Sequence, residues 1–420
     1  MTPRASEASE PADRSGPRSP VPASDAVRGL RGAARLASQM TTPLPLFPVT
    51  TVGSWPRPPA VAAALRDVRR GRISRADFER QADAAIVELL RVQHALGCDL
   101  ITDGELRRDN FYSFVATKLS GVRLMTLAEM LDVVEDKAGF ERLLQTLDVP
   151  AYSISSPICT GPIARREPLT VDDLRFVRRH SDKPVKVTLP GPYLLTRAMF
   201  VPELTRAHYL TKEALAEDVV ALLRAEVDEL VAEGVDFVQF DEPVLTEVAF
   251  APAKTRTFMC AALAARNDPV EELELAISLI NRVVDGVTGT RTGVHVCRGN
   301  WSRDETTLLS GGYAPLAPFL ERMEVSQLVL EHATDRAGSV MRFDGKELGM
   351  GVVNPRTDAV ESPAQIRSAI ERALKFYEPR EIFLNPDCGF GTFSNRPMNS
   401  WEIASAKIAA MVSAARDLRS

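Results

Sequence analysis

Eight short apolar runs, separated by stretches with helical spacing, constrain the fold of this chain more than any other feature. The runs are PVTTVGS (48–54), CDLITDGE (98–105), KPVKVTLPG (183–191), DFVQFDEP (236–243), TGVHVCRG (292–299), SQLVLEHA (326–333), ELGMGVVN (347–354) and EIFLNPDCG (381–389). Between them lie ADFERQADAAIVELLRVQHALG, LAEDVVALLRAEVDELVAEG, PVEELELAISLINRVVDGV and PAQIRSAIERALKFY. These carry apolar residues at three- and four-residue spacing, the mark of amphipathic helices. Strands separated by helices predict a parallel sheet, and eight such units predict a single α/β domain, a (β/α)8 TIM barrel. An open doubly wound sheet is the competing arrangement, but no G-x-G-x-x-G follows the first run.

The expected organisation is a disordered tail over residues 1–42 and one barrel domain over 43–420. The tail is rich in Ala, Pro, Ser and Arg and poor in large aliphatics, so it has little to bury against chain entropy. An insertion is expected after strand 2, because residues 106–182 hold more than one helix. Within it, AYSISSPICTGPIARREPLT predicts a β-hairpin turning at Thr160-Gly161-Pro162. A net charge of −5 argues against nucleic acid or an anionic membrane as partner. No apolar run reaches the roughly 18 residues of a membrane span. The N-terminus lacks the apolar core of a secretory signal. Five scattered cysteines do not suit a disulfide framework, and a reducing, cytoplasmic location is expected. Oligomeric state is left open.

In such a barrel, polar residues at the C-terminal ends of strands are active-site candidates. Residues two apart on a strand share a face, so His295 and Cys297 should converge on one point, with Glu331 and Cys388 arriving from other strands. One nitrogen, two thiolates and one carboxylate form a tetrahedral set suited to Zn²⁺. Three anionic ligands leave the site at about −1, a poor activator of water but a good holder of a nucleophilic thiolate. Each of these residues also has a bland reading. An H-x-C pair can pack a core, Cys388 can be a small hydrophobe, and Glu331 can cap a helix. Cys98, Cys159 and Cys260 are read as packing residues.

Several of these segments resemble the catalytic C-terminal barrel of the cobalamin-independent methionine synthases. The matching pieces are TTVGSWPRP, ITDGELRRDNF, DKPVKVTLPGP, VQFDEPVLTE, GVHVCRGN, LVLEHA and NPDCGFGT, in family order over roughly residues 46–415. The resemblance implies that His295, Cys297, Glu331 and Cys388 bind zinc. It implies that Ser54 meets the carboxylate of an amino-acid thiol and that Glu105 and Asp241 meet its ammonium. Glu247 matches a family acid near the methyl donor, and Asp241 and Glu247 are the catalytic candidates. The implied reaction is methylation of homocysteine to methionine, with methyltetrahydrofolate or a methylcobalamin source as donor. The alternative is alkyl transfer to, or C–S cleavage of, another thiol or thioether. Two positions depart from the family: Ala198 replaces a Trp, and Arg356 replaces a His. Arg356 and Arg197 could hold an anionic donor group or be solvated loop residues.

Overall fold

The computed structural model describes residues 43–134, 137–138, 155–250, 268–300 and 302–420. The tail expected at 1–42, Cys260 and most of the helical stretch after Leu131 lie outside the described residues. Its architecture is α/β, built on a parallel sheet. Six strands form the ladder in chain order: β3 (Lys186–Pro190), β4 (Phe237–Asp241), β5 (Arg291–Val296), β6 (Gln327–Leu330), β7 (Glu347–Val353) and β8 (Ile382–Pro386). Every neighbouring pair is parallel. Before them, β1 (Leu119–Thr126) and β2 (Ser155–Arg165) form a separate antiparallel pair.

The helices used below are α1 (Pro59–Arg69), α2 (Arg75–Leu96), α3 (Val171–Arg178), α4 (Pro192–Met199), α5 (Lys212–Ala232), α6 (Val244–Phe250), α7 (Pro269–Val284), α8 (Pro363–Ala373) and α9 (Trp401–Arg419). Their ends follow local chemistry. Ser74 opens α2 in a reciprocal capping pair with Asp77, and Gly97 closes it at φ 94°. Among the described residues, no helix is long and apolar enough to cross a membrane.

The first two predicted strands do not extend the ladder. Each is an isolated parallel bridge, Val49 to Leu384 and Ile101 to Val185. Side chains take the backbone bonds that a ladder would use. Val49 N–H donates to Asp99 Oδ2 (2.8 Å), Thr102 N–H donates to Gln93 Oε1 (3.1 Å), and Gln93 Nε2 donates back to Thr102 O (2.8 Å). The ladder therefore has six strands where eight were predicted, with the two other segments attached at its edges.

The hairpin expected around Thr160-Gly161-Pro162 is not formed, because those residues lie inside the continuous strand β2. The register jumps between Ser120↔Ala164 and Val122↔Cys159. Gly161 and Pro162 are taken up by a bulge opposite Gly121, which has φ 72°. Proline cannot donate to a ladder, so a bulge suits it as well as a turn does.

Alternation divides the sheet. Val187, Phe240, Val294, Leu328, Met350 and Leu384 point into the main apolar core against the helices. The opposite face carries Lys186, Gln239, Asp241, Arg291, His295, Gln327, Glu347 and Asn385, all buried. These polar groups satisfy one another. Arg291 Nε donates to Glu347 Oε2 (2.6 Å), and its guanidinium lies over the Phe383 ring at 4.6 Å. Glycine makes room on this face. A Cβ at Gly351 would collide with Asp387 and approach its Cα to 2.9 Å. The polar face thus leads upward to the strand C-termini, where His295 and Asp241 stand.

Gly351→Ala should destabilise the protein by about 1–3 kcal/mol through overpacking. Denaturant titration should show a lower midpoint; an unchanged midpoint would mean that Asp387 gives way freely.

Candidate metal and amino-acid site

The site begins with parity on β5. Arg291, Gly293 and His295 share the inner face, and Cys297 follows two residues on. Cys388 arrives just beyond β8. The ligand atoms of His295, Cys297 and Cys388 all lie within 4.8 Å of one another, and all three residues are buried. His295 Nδ1 is 3.1 Å from Val329 O, which assigns it the proton and leaves Nε2 as the ligand atom. Nε2 is buried and has no partner. Thr246 Oγ1 on α6 donates to Cys297 O (2.7 Å) and pins the strand end.

The electrostatics suit a cation. Hydrogen bonding from Cys388 leads the causes that bring Cys297 down to about 5, against burial and with help from His295. The Cys388 thiol is pushed well above its usual range by its bond to Cys297 and by burial. Burial would lower His295, but Cys297, Asp241 and Glu331 outweigh it and raise the imidazole to about 9. One thiolate forms readily and its charge opposes the second. A divalent cation removes that conflict by accepting both. An orphaned imidazole nitrogen with two thiols in reach therefore fits zinc by donor type.

Glu331 does not join this trio. It follows β6 directly and is fully buried, and its oxygens are held by Arg298 N–H (3.1 Å), Arg336 Nη2 (3.0 Å) and Arg356 Nη1 (3.5 Å). Burial opposes its charge, but Arg356, Arg336 and Arg298 outweigh burial and hold the carboxyl below its usual range. Arg356 also reaches Asp387 Oδ2 at 3.3 Å and is buried, so it is not a solvated loop residue. Arg197 is buried too and faces Glu247 at 3.8 Å.

Beside the trio lies a narrow pocket whose wall includes Ser54, Glu105, Asp241, His295, Cys297 and Cys388. Glu105 adopts φ 55°, which turns the G-E corner and aims its side chain inward. Its Oε1 accepts from Thr188 Oγ1 (2.8 Å), while its buried Oε2 has no partner. Its nearest cation is Arg108, at 3.9 Å. Asp241 Oδ1 accepts from Gln239 Nε2 (2.9 Å), and burial leads the causes that push its carboxyl up to about 7. The next acid, Glu242, faces elsewhere and caps α4 by accepting from Tyr193 N–H (2.8 Å) and Leu194 N–H (2.9 Å). Glu247 on α6 is not part of the pocket wall.

Sequence reading missed several lining residues. Phe111, Tyr112 and Phe393 form an aromatic wall, and Asn300 also faces the pocket. Asn300 Nδ2 donates to Gly389 O (2.7 Å) and Thr392 Oγ1 (2.8 Å), tying the two cysteine-bearing loops together. Its place three residues after Cys297 in CRGN was the available signal. The lining includes two carboxylates and neither lysine nor arginine.

Comparison with known proteins adds an independent line. The chain matches the family described as "Cobalamin-independent synthase, Catalytic domain" over residues 47–417. The methionine synthase of Thermococcus kodakarensis is 28% identical over 357 residues, covering 84% of this chain and 89% of that one. That of Sulfolobus acidocaldarius is 27% identical over 353 residues, 83% of this chain and 87% of its own length. Among solved structures, a B12-independent methionine synthase from Shewanella sp. W3-18-1 in complex with selenomethionine has a TM-score of 0.66 at 22% identity. The likeness covers 89% of this chain and 98% of that one, and it speaks to the fold.

The protein should bind one equivalent of Zn²⁺ or Co²⁺, and Cys388→Ser should weaken that binding by about 100-fold or more, since ligand loss exceeds the effect of outer-shell partners. Chelator competition measures it. Unchanged affinity in Cys388→Ser would remove Cys388 from the site.

Proposed function

Because this chain belongs to the cobalamin-independent synthase family, we propose that it is a zinc-dependent thiol methyltransferase that converts homocysteine to methionine without bound cobalamin. The observation that carries this reading is one wall of one pocket. It joins a metal-capable imidazole and two thiols to a pair of carboxylates, with neither lysine nor arginine in the lining. A bound metal would supply a thiolate at neutral pH and keep its sulfur nucleophilic. The four-ligand reading includes Glu331, which would leave its arginine partners to join the shell.

The chain's own residues would do the rest. Glu105 Oε2 and Asp241 would take the substrate ammonium, whose charge would favour the ionised form of Asp241 against burial. Ser54 would donate to the substrate carboxylate. Phe111 and Phe393 would keep water from the sulfur. Glu247, paired with Arg197, would act toward the donor. As the new S–CH₃ bond forms, the bond from methyl to donor breaks, and the thiol proton passes to solvent. Proximity supplies much of the rate in such a transfer. A thiol bearing only an anionic group would bring it against two carboxylates, and this favours the zwitterion over a mercaptosulfonate. The donor is read as a methylfolate. Ala198, buried where the family has Trp, favours a methylcobalamin source as the second reading.

Residues 43–420 are read as one catalytic unit. The bridges at Val49 and Ile101, with Asp99 N–H donating to Val49 O (2.9 Å), support closure of the six-stranded ladder into an eight-membered barrel. Unpaired buried thiols support a reducing, cytoplasmic setting.

Zinc-loaded protein given homocysteine should form methionine, measured by mass, from methyltetrahydrofolate or from methylcobalamin in separate reactions. Glu105→Gln should raise the KM for homocysteine by about tenfold, the worth of one hydrogen bond to a charged group. No methionine from either donor, with zinc bound, would overturn the reading.

A further inference from the structure

Two fully buried polar residues beneath the pocket have no place in the chemistry above. Lys186 on β3 and Gln239 on β4 stand on the inner sheet face, 1% and 0% exposed. A buried glutamine contributes to a core only when its amide groups are all used. Here they are used in a particular way.

Lys186 has donors only. Its Nζ donates to Thr51 O and to Gln239 Oε1 (3.1 Å). The Gln239 amide is held from both sides, because Val52 O can only accept and Lys186 donates to its Oε1. The amide nitrogen must then face the other way, and both of its hydrogens are spent. One goes to Asp241 Oδ1 (2.9 Å) and one to Val52 O (2.9 Å). Asp241 belongs to the ammonium end of the pocket. Val52 stands two residues before Ser54, at the carboxylate end. Lys186 reaches the same turn through Thr51.

We infer that Gln239, oriented by Lys186, is a positioning residue that sets the span between the two ends of the amino-acid site and so selects thiols carrying an α-amino acid group. The inference rests on the amino-acid reading of the pocket. Gln239 touches no substrate; it acts through Asp241 and through the turn that carries Ser54. A residue that merely filled the barrel would affect every thiol alike. A residue that sets the span affects only a ligand that is held at both ends.

The test compares wild-type, Gln239→Leu and Lys186→Met proteins, all zinc-loaded, by titration calorimetry. The probes are L-homocysteine and 3-mercaptopropan-1-ol, which keeps the thiol and loses both charged groups. Zinc content and thermal unfolding are recorded for each protein. Homocysteine binding should weaken by about tenfold or more in Gln239→Leu, while mercaptopropanol binding changes by less than about twofold. Lys186→Met, which leaves Gln239 Oε1 without its donor and so loosens the amide, should shift homocysteine in the same direction, and it carries the test if Gln239→Leu does not fold. Equal weakening of both thiols in a folded, zinc-replete variant would overturn the inference, as would unchanged homocysteine binding. If the wild-type protein binds mercaptopropanol as tightly as homocysteine, the amino-acid reading itself fails and the inference falls with it.

Discussion

Two buried thiols and an imidazole gathered within 4.8 Å form the constraint on which the rest of this structure depends. Two thiolates at that spacing, away from water, would repel strongly unless a cation stood between them. The surroundings divide accordingly. On one side Arg298, Arg336 and Arg356 gather around Glu331 and Asp387, neutralising acids near the thiols. On the other side Glu105 and Asp241 face a pocket wall that includes neither lysine nor arginine. In the proposed function one cluster therefore organises both a place for a metal and a place for an ammonium.

The fold makes this arrangement affordable. The helix-facing side of the sheet is conventional apolar core, while the inner face is polar from the Arg291–Glu347 pair up to His295. Buried polar groups persist there because each layer satisfies the next, as in the column from Lys186 through Gln239 to Asp241. The motif pieces are also coupled to one another. Glu242 caps the helix that follows β3, and Gly191 leaves no Cβ in its way. A substitution in one motif would be felt in another.

Much of this was legible in the sequence, for stated reasons. Six of the eight predicted strands form the ladder, because apolar runs bounded by turn residues report buried parallel strands well. The other two became bridges because Asp99, inside the second run, and Gln93, on the helix before it, took the N–H groups of Val49 and Thr102. The β2 bulge was mistaken for a turn because Gly-Pro serves both. At the site, period-two alternation brought His295 and Cys297 together, and the convergence of strand ends put Cys388 beside them. It was not enough for Glu331, whose arginine partners come from loops that carry no periodic signal. Lys186 and Gln239 were visible only as polar letters inside KVT and VQFD, and their meaning depended on which groups they met across the sheet.

In the proposed function the His295, Cys297 and Cys388 cluster holds a metal that receives the sulfur of an amino-acid thiol. Zinc-edge X-ray absorption on the loaded protein, with and without L-homocysteine, tests it most directly. The expected result is a nitrogen-and-sulfur shell that gains one sulfur neighbour when homocysteine is added. A shell that keeps the same sulfur count at saturating homocysteine would contradict it and leave the metal a structural one.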